Sequence, residues 1–153
     1  MKLSRWAEAV GLVAVVLSLI FVGIEIRHST HASRAANQHS LLELAIGYQN
    51  TILESEELSY ISSAMLDGDI SGLSESQRAR ADMMRANMFN IWEATYYDHQ
   101  TDQLSDELWT AWNSFHASLA NEEFRSWWQG ERHGFGSSFA EHVDEVIKDV
   151  GSK

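Results

Sequence analysis

The sequence predicts an all-α protein in which a single N-terminal transmembrane helix continues into a stalk and a small helical bundle. Three observations support this fold class. The 153 residues contain no proline, while Ala, Leu, Glu, Met and Gln, which favour helices, are common. Apolar residues recur at helical spacing along most of the chain. An uncharged run of sixteen residues, 9–24, lies near the N-terminus.

The uncharged run predicts a membrane anchor over residues 1–26. As a helix it is about 24 Å long, and extension to Trp6 and Ile26 brings it to roughly the 30 Å thickness of a hydrocarbon core. A cleaved signal peptide and a buried core helix are the alternatives. The first is disfavoured by the charged residues that follow the run. The second is disfavoured because a helix apolar on all sides needs a larger domain to bury it.

No helix breaker follows the anchor. Between Glu25 and Ser55 the chain has no proline and a single glycine, Gly47, so the helix is expected to continue to about Ser55. Residues 27–40 are predicted to form a helical stalk, and residues 41–153 an acidic helical bundle domain.

A stripe of mostly small residues runs along the anchor and the stalk. Its members follow one another at steps of three or four, and these average about 3.6 residues, the period of a straight α-helix. Inside a membrane, small residues on one face let a second helix approach closely. The stripe therefore predicts a helix–helix interface with a second copy of the chain or a neighbouring subunit, with membrane lipid as the other partner. Its residues, with Val22 on the same line, are Ala7, Gly11, Ala14, Ser18, Glu25, Ser29, Ala32 and Ala36.

Two helices are predicted directly after the long one. The first covers about residues 56–66 and ends at "DGDISG", whose Asp and Gly residues favour a turn. Ser74, with Gln77 three residues later, has the capping-box pattern and predicts a helix start, with the helix running to about His99. The expected core-facing residues of this helix are Ala81, Met84, Met88, Ile91 or Trp92, and Thr95.

Three shorter helices complete the predicted bundle. Ser105 and Asn121 are N-cap residues of two Trp-containing helices, and the last helix covers about residues 138–150. The apolar residues that mark them are Leu108, Trp112, Phe115 and Leu119, then Phe124, Trp127 and Trp128, then Phe139, Val143, Val146 or Ile147, and Val150.

Charge is divided unevenly along the chain. Residues 1–40 hold four basic residues against two acidic ones, a net charge of +2, whereas residues 41–153 hold seven against twenty, a net charge of −13. A strongly acidic surface repels phosphate groups. No nucleic-acid partner is therefore expected.

The sequence assigns no catalytic, cofactor-binding or metal-binding residue. The local signatures of hydrolases, zinc proteases and nucleotide-binding enzymes are missing, and the absence of cysteine excludes thiolate chemistry. Glu25 and His28 have the E-x-x-H spacing of a di-iron bundle, but such a site needs two copies. Glu93, beside Trp92, is a candidate buried carboxylate with Arg85 or a tyrosine hydroxyl as its partner.

Three stretches carry a resemblance to a known group: "VGIEIRHSTHASRAANQ", "DELWTAWNSF" and "RSWW". Together they resemble uncharacterised bacterial proteins with one N-terminal membrane span, an E-I-R-x-x-T-x-A-x-R-A-type segment and a Trp-rich helical tail. The resemblance implies this architecture only, without an activity, and the span is expected to lie in a bacterial inner membrane. Lys2 and Arg5 on one side of the span balance Arg27 and Arg34 on the other, and the free amino group favours a cytoplasmic N-terminus, which predicts a periplasmic bundle domain.

Two functions are consistent with these patterns. The first is a non-catalytic, membrane-anchored helical interaction module, an accessory or self-associating component of a membrane assembly. The alternative is a helical bundle that binds a small apolar ligand or a metal, with or without enzymatic use. Five tryptophans beyond the anchor suit either the lining of a ligand pocket or the core of a small bundle.

Overall fold

The computed structural model describes the backbone of residues 2–151, and the side chains of residue 6 and of residues 10–150. Over this range the chain has six α-helices, one 3-10 turn and no strand, which confirms the all-α prediction. It divides into two compact units, Met1–Asn37 and Gln38–Lys153. The helices are α1 (Lys2–Leu53), α2 (Glu56–Asp67), α3 (Glu75–Gln100), α4 (Asp106–Ser118), α5 (Glu122–Glu131) and α6 (Ser137–Gly151), with the 3-10 turn at Arg132–Gly134.

The first unit consists of the N-terminal part of α1. Its large apolar side chains are exposed, with Leu12, Leu19 and Phe21 each about two-thirds accessible to solvent. The stretch is long and apolar enough to cross a membrane, and none of its most apolar window is buried in the protein. The buried-core alternative for this helix is therefore wrong.

Side-chain hydrogen bonds fix the starts of the helices in the second unit. The Ser74 hydroxyl accepts from the Gln77 N–H at 3.4 Å, while the Gln77 side chain accepts from the Ser74 N–H at 3.0 Å, so the predicted capping box is present. Ser55, Ser105 and Asn121 each accept from the backbone N–H three residues on. Each cap satisfies a helix-terminal donor that has no partner within its own helix.

Asn121 also connects two helices that are distant in sequence. Its side-chain oxygen accepts from the Phe124 N–H at 2.8 Å, and its Nδ2 donates to the carbonyl oxygen of Met65 at 3.2 Å. Gly68 ends α2 with a φ of 71°, a left-handed conformation that favours glycine. A Cβ at Gly68 would lie 3.2 Å from the same Nδ2 atom. The end of α2 and the start of α5 are thus held together by one amide group.

Two clusters of buried residues form the core of the second unit. The larger joins α3, α5 and α6, and the smaller joins α2 to the first half of α3. As predicted, Ala81, Met84, Trp92 and Thr95 of α3 are buried. Arg85 and Phe89 are buried as well, although the predicted core-facing stripe of α3 did not include them.

The buried face of α4 differs from the face that its apolar spacing predicts. Leu108 and Phe115 are exposed, at 37% and 53%, whereas His116 is 4% exposed. Trp109 packs against the larger core cluster. Two neighbouring rows of large residues run along this helix, and the row containing Trp109 and His116 is the one that faces the bundle.

Candidate functional site

The predicted helix–helix interface lies on one exposed face of α1. Because α1 is α-helical throughout, residues at a spacing of about 3.6 fall on the same side of it. A Cβ built on Gly11 would meet nothing within 4 Å. Association along this face stays a prediction. The side chain of Ala7 lies outside the described residues, and the exposed members of the stripe are Gly11, Ala14, Ser18, Glu25, Ser29, Ala32 and Ala36.

The charged residues singled out for metal chemistry do not meet other ligands. Glu25 and His28 are both exposed on α1. Among the described residues, no group of three or more His, Cys, Asp or Glu side chains is placed to hold a metal ion.

Arg85, one of the two kinds of partner expected for Glu93, pairs with Glu123 and Asp82, and Glu93 caps a helix. Its Oε1 accepts a hydrogen bond from the backbone N–H of Gly136 at 2.7 Å. Gly136 directly precedes α6, so the carboxylate lies at the positive end of that helix's dipole. A Cβ at Gly136 would collide with the hydroxyl oxygen of Tyr97, which explains the glycine at this position.

Phe89 is the centre of an aromatic core. It is 1% exposed, and six other rings lie with their centroids 4.9–6.5 Å from its own. Pairs at such distances add to the stabilisation from burial alone. The tryptophans and phenylalanines of α3, α5 and α6 therefore act mainly as core residues. The six rings are those of Trp92, Phe124, Trp127, Trp128, Phe135 and Phe139.

A partly buried polar network adjoins this core. The side-chain oxygen of Asn113 accepts from Trp92 Nε1 at 3.1 Å and lies 2.7 Å from His142 Nε2, which places the proton of that imidazole on Nε2. His116 stacks on Trp92 with a centroid distance of 5.0 Å, and its Nδ1 lies 2.8 Å from the Trp112 carbonyl oxygen. Burial lowers the pKa of both histidines. Both rings are therefore neutral at pH 7.

A cleft of about 310 Å³ opens among α2, α3, α4, α5 and the C-terminal part of α1. Met84 and Phe124, at its base, are 7% and 5% exposed, whereas Leu66 and Phe115, at its rim, are 61% and 53% exposed. The walls are mostly apolar, and three of the chain's five methionines contribute to them. Residues of the walls include Ile52, Met65, Met88, Ile91 and Leu119.

The ionisable groups that line the cleft already have partners within the protein. Arg85, whose side chain is 3% exposed, forms ion pairs with Glu123 and, at 3.1 Å, with Asp82. Its guanidinium carbon also lies 5.4 Å from the centre of the Trp127 ring. The Tyr48 hydroxyl donates to the Met84 carbonyl oxygen at 3.0 Å, and burial raises the pKa of Tyr48 to about 12.

Sequence reasoning did not find this cleft, because its walls come from five separated segments. One signal was present in the sequence. Arg85 directly follows Met84, a residue of the predicted core-facing stripe, and a charged side chain at the edge of the core needs an acidic partner nearby. The arrangement as a whole is suited to binding rather than to proton transfer, since its charges are paired and its walls are apolar.

The resemblance to bacterial membrane proteins stays a prediction. No protein-family model, curated protein or solved structure matches this chain.

Proposed function

We propose that this chain is a membrane-anchored helical interaction module, an accessory or self-associating component of a membrane assembly that performs no catalysis itself. The observation that carries the proposal is the exposed apolar run of α1. Twelve large apolar side chains between Val10 and Ile26 are about half to two-thirds exposed. Full burial of one such side chain contributes about 1.5–3 kcal/mol, so covering the partly exposed set contributes on the order of 10–20 kcal/mol. A lipid bilayer supplies that cover.

Carbonate extraction of membranes from cells that express the full chain tests the anchor. We expect the protein to stay with the membrane, and a variant without residues 1–24 to be released. Leu17→Arg tests the anchor with a single substitution, because an arginine in the middle of a span raises the free energy of membrane insertion by about 2.5–3.5 kcal/mol. Leu44→Arg is its matched control, since Leu17 and Leu44 are 60% and 58% exposed on the same helix. Full-length protein in the soluble fraction would refute the anchor.

The span is proposed to lie in a bacterial inner membrane, with the N-terminus in the cytoplasm and the acidic domain in the periplasm. Basic residues near a span tend to remain cytoplasmic, but Lys2 and Arg5 before the span are matched in number by Arg27 and Arg34 after it, so the orientation has to be tested directly. Protease added to spheroplasts should degrade the acidic domain, and protease added to intact cells should not. Protection of the domain in spheroplasts reverses the orientation.

Association is proposed to occur along the small-residue stripe of α1. Gly11→Leu combined with Ser18→Leu fills the groove while the segment stays apolar. Val13→Leu combined with Val16→Leu is the control, because these two positions lie on the opposite side of the helix. Crosslinking between two differently tagged copies, and recovery of membrane partners, should decrease only in the first variant. If both variants associate as strongly as the wild type, the stripe is not a helix–helix interface.

A further inference from the structure

We propose that the cleft among α1 to α5 binds the uncharged aliphatic chain of an amphiphile, either a free fatty alcohol or the acyl chain of a membrane lipid. This inference does not depend on the proposed association along α1. It rests on the size of the cleft, on the chemistry of its walls and on the pairing of its charges.

The size of the cleft suits one chain. The volume of about 310 Å³ is many times the roughly 10–15 Å³ of cavity that one water molecule needs, so the cleft accommodates a chain of several methylene groups. This volume lies at the lower end of the range of about 300–1,000 Å³ that is usual for small-molecule sites. The base residues Met84 and Phe124 are almost inaccessible. A space of this volume is filled by one thin chain, whereas an α-helix with its side chains is about 10–12 Å wide.

The walls suit an aliphatic ligand of variable shape. Met65, Met84 and Met88 line the cleft, and methionine side chains adapt to irregular apolar surfaces because they are unbranched and polarisable. Ile52 and Leu119 add aliphatic surface. Such walls offer dispersion contacts along a chain without demanding a fixed geometry.

The electrostatics disfavour an anionic ligand. The buried Arg85 guanidinium is neutralised by Glu123 and Asp82, and residues 41–153 carry a net charge of −13. A carboxylate in the cleft would therefore gain no unpaired cation and would meet a negative potential. Gln49 and Ser62 also line the cleft, and their amide and hydroxyl groups suit an uncharged polar end such as a hydroxyl or an ester.

Photolabelling of the full chain in phosphatidylcholine nanodiscs tests this inference. Two probes are compared: 1-decanol with a diazirine on its chain, and phosphatidylcholine with a diazirine on one acyl chain. We expect at least one probe to label the cleft segments of α2, α3 and α4, as mapped by mass spectrometry. Labelling by decanol alone identifies a free amphiphile as the source, and labelling by the phospholipid identifies the membrane.

Matched variants show whether the label enters the cleft. Met88→Trp fills the cleft from α3, whereas Met83→Trp places the same side chain on the same helix at a residue that is 70% exposed and outside the lining. Labelling should be lost in the first variant and retained in the second. Leu66→Trp, at the exposed rim, narrows the entrance with little effect on folding, and it repeats the test if Met88→Trp does not fold.

Competition tests the charge argument. Unlabelled 1-decanol should displace the bound probe, and decanoate at the same concentration should displace much less. Cleft labelling that is equal in the wild type, Met88→Trp and Leu66→Trp for both probes, or absent for both probes, overturns the proposal. Equal displacement by decanol and decanoate overturns its restriction to uncharged chains.

Discussion

The ion pair between Arg85 and Glu123 should show strong energetic coupling. Glu123→Gln leaves a guanidinium that is 3% exposed, with Asp82 as its other carboxylate. Loss of one partner from a buried pair costs about 3–5 kcal/mol. Because Asp82 stays in place, although 56% exposed, we expect a decrease of about 2–3 kcal/mol in the free energy of unfolding.

Arg85→Met removes the other half of the pair. The Glu123 side chain is 20% exposed and can turn towards water, and the contact of Arg85 with Trp127 contributes about 0.5–1 kcal/mol. We expect a decrease of about 1–2 kcal/mol. The double variant replaces the pair by a methionine and an uncharged amide, which is often nearly neutral, so it should cost about 1 kcal/mol. The coupling is thus about 2–4 kcal/mol.

Urea unfolding of the full chain in nanodiscs, followed by tryptophan fluorescence, measures these values. Arg80→Met and Glu57→Gln form the control cycle, because that ion pair is 2.9 Å long but 52% and 43% exposed. An exposed pair contributes less than about 1 kcal/mol. If the effects of the substitutions at Arg85 and Glu123 add to within about 0.5 kcal/mol, the two side chains are not energetically coupled as a buried ion pair.

Three further outcomes are expected from the same unfolding assay. Gly136→Ala should destabilise the bundle by about 1–3 kcal/mol, because the new Cβ collides with the Tyr97 hydroxyl, and Tyr97→Phe should restore part of the loss. Phe89→Ala should cost about 3–5 kcal/mol, whereas Phe115→Ala, at a side chain that is 53% exposed, should cost far less. The pKa of His116 is lowered in the folded state, so the unfolded chain takes up the proton first as the pH falls below about 6.5. Between that pH and the pKa of the folded state, the free energy of unfolding should decrease by up to about 1.4 kcal/mol for each pH unit. This part of the pH dependence should be missing in His116→Phe.

Local features of the fold could be predicted from the sequence. The capping box of Ser74 and Gln77 and the cap at Asn121 depend on residues three positions apart, so the pattern and the structure involve the same short segment. The apolar run of α1 is equally local, because hydropathy is a property of consecutive residues. For this reason the helices were predicted more accurately than their contacts.

Contacts between distant segments could not be predicted in the same way. Glu93 and Gly136 are 43 residues apart, and nothing at either position identifies the other. On α4, Phe115 and His116 are neighbours on adjacent rows of large residues, and only the packing of the other helices decides which row is buried. The cleft is a more extreme case, because its shape is defined by the space that five helices leave unfilled.

The two hydrogen bonds of Asn121 restrict which substitutions this position accepts. Serine, aspartate and threonine can all accept the hydrogen bond from the Phe124 N–H as N-cap residues. Neither aspartate nor a short hydroxyl side chain reproduces the amide N–H that reaches the Met65 carbonyl oxygen. Exchanges that are conservative for α5 would therefore leave the end of α2 without this donor. Fewer amino acids should therefore be tolerated at position 121 than at an ordinary helix cap. A substitution there should destabilise both the end of α2 and the start of α5.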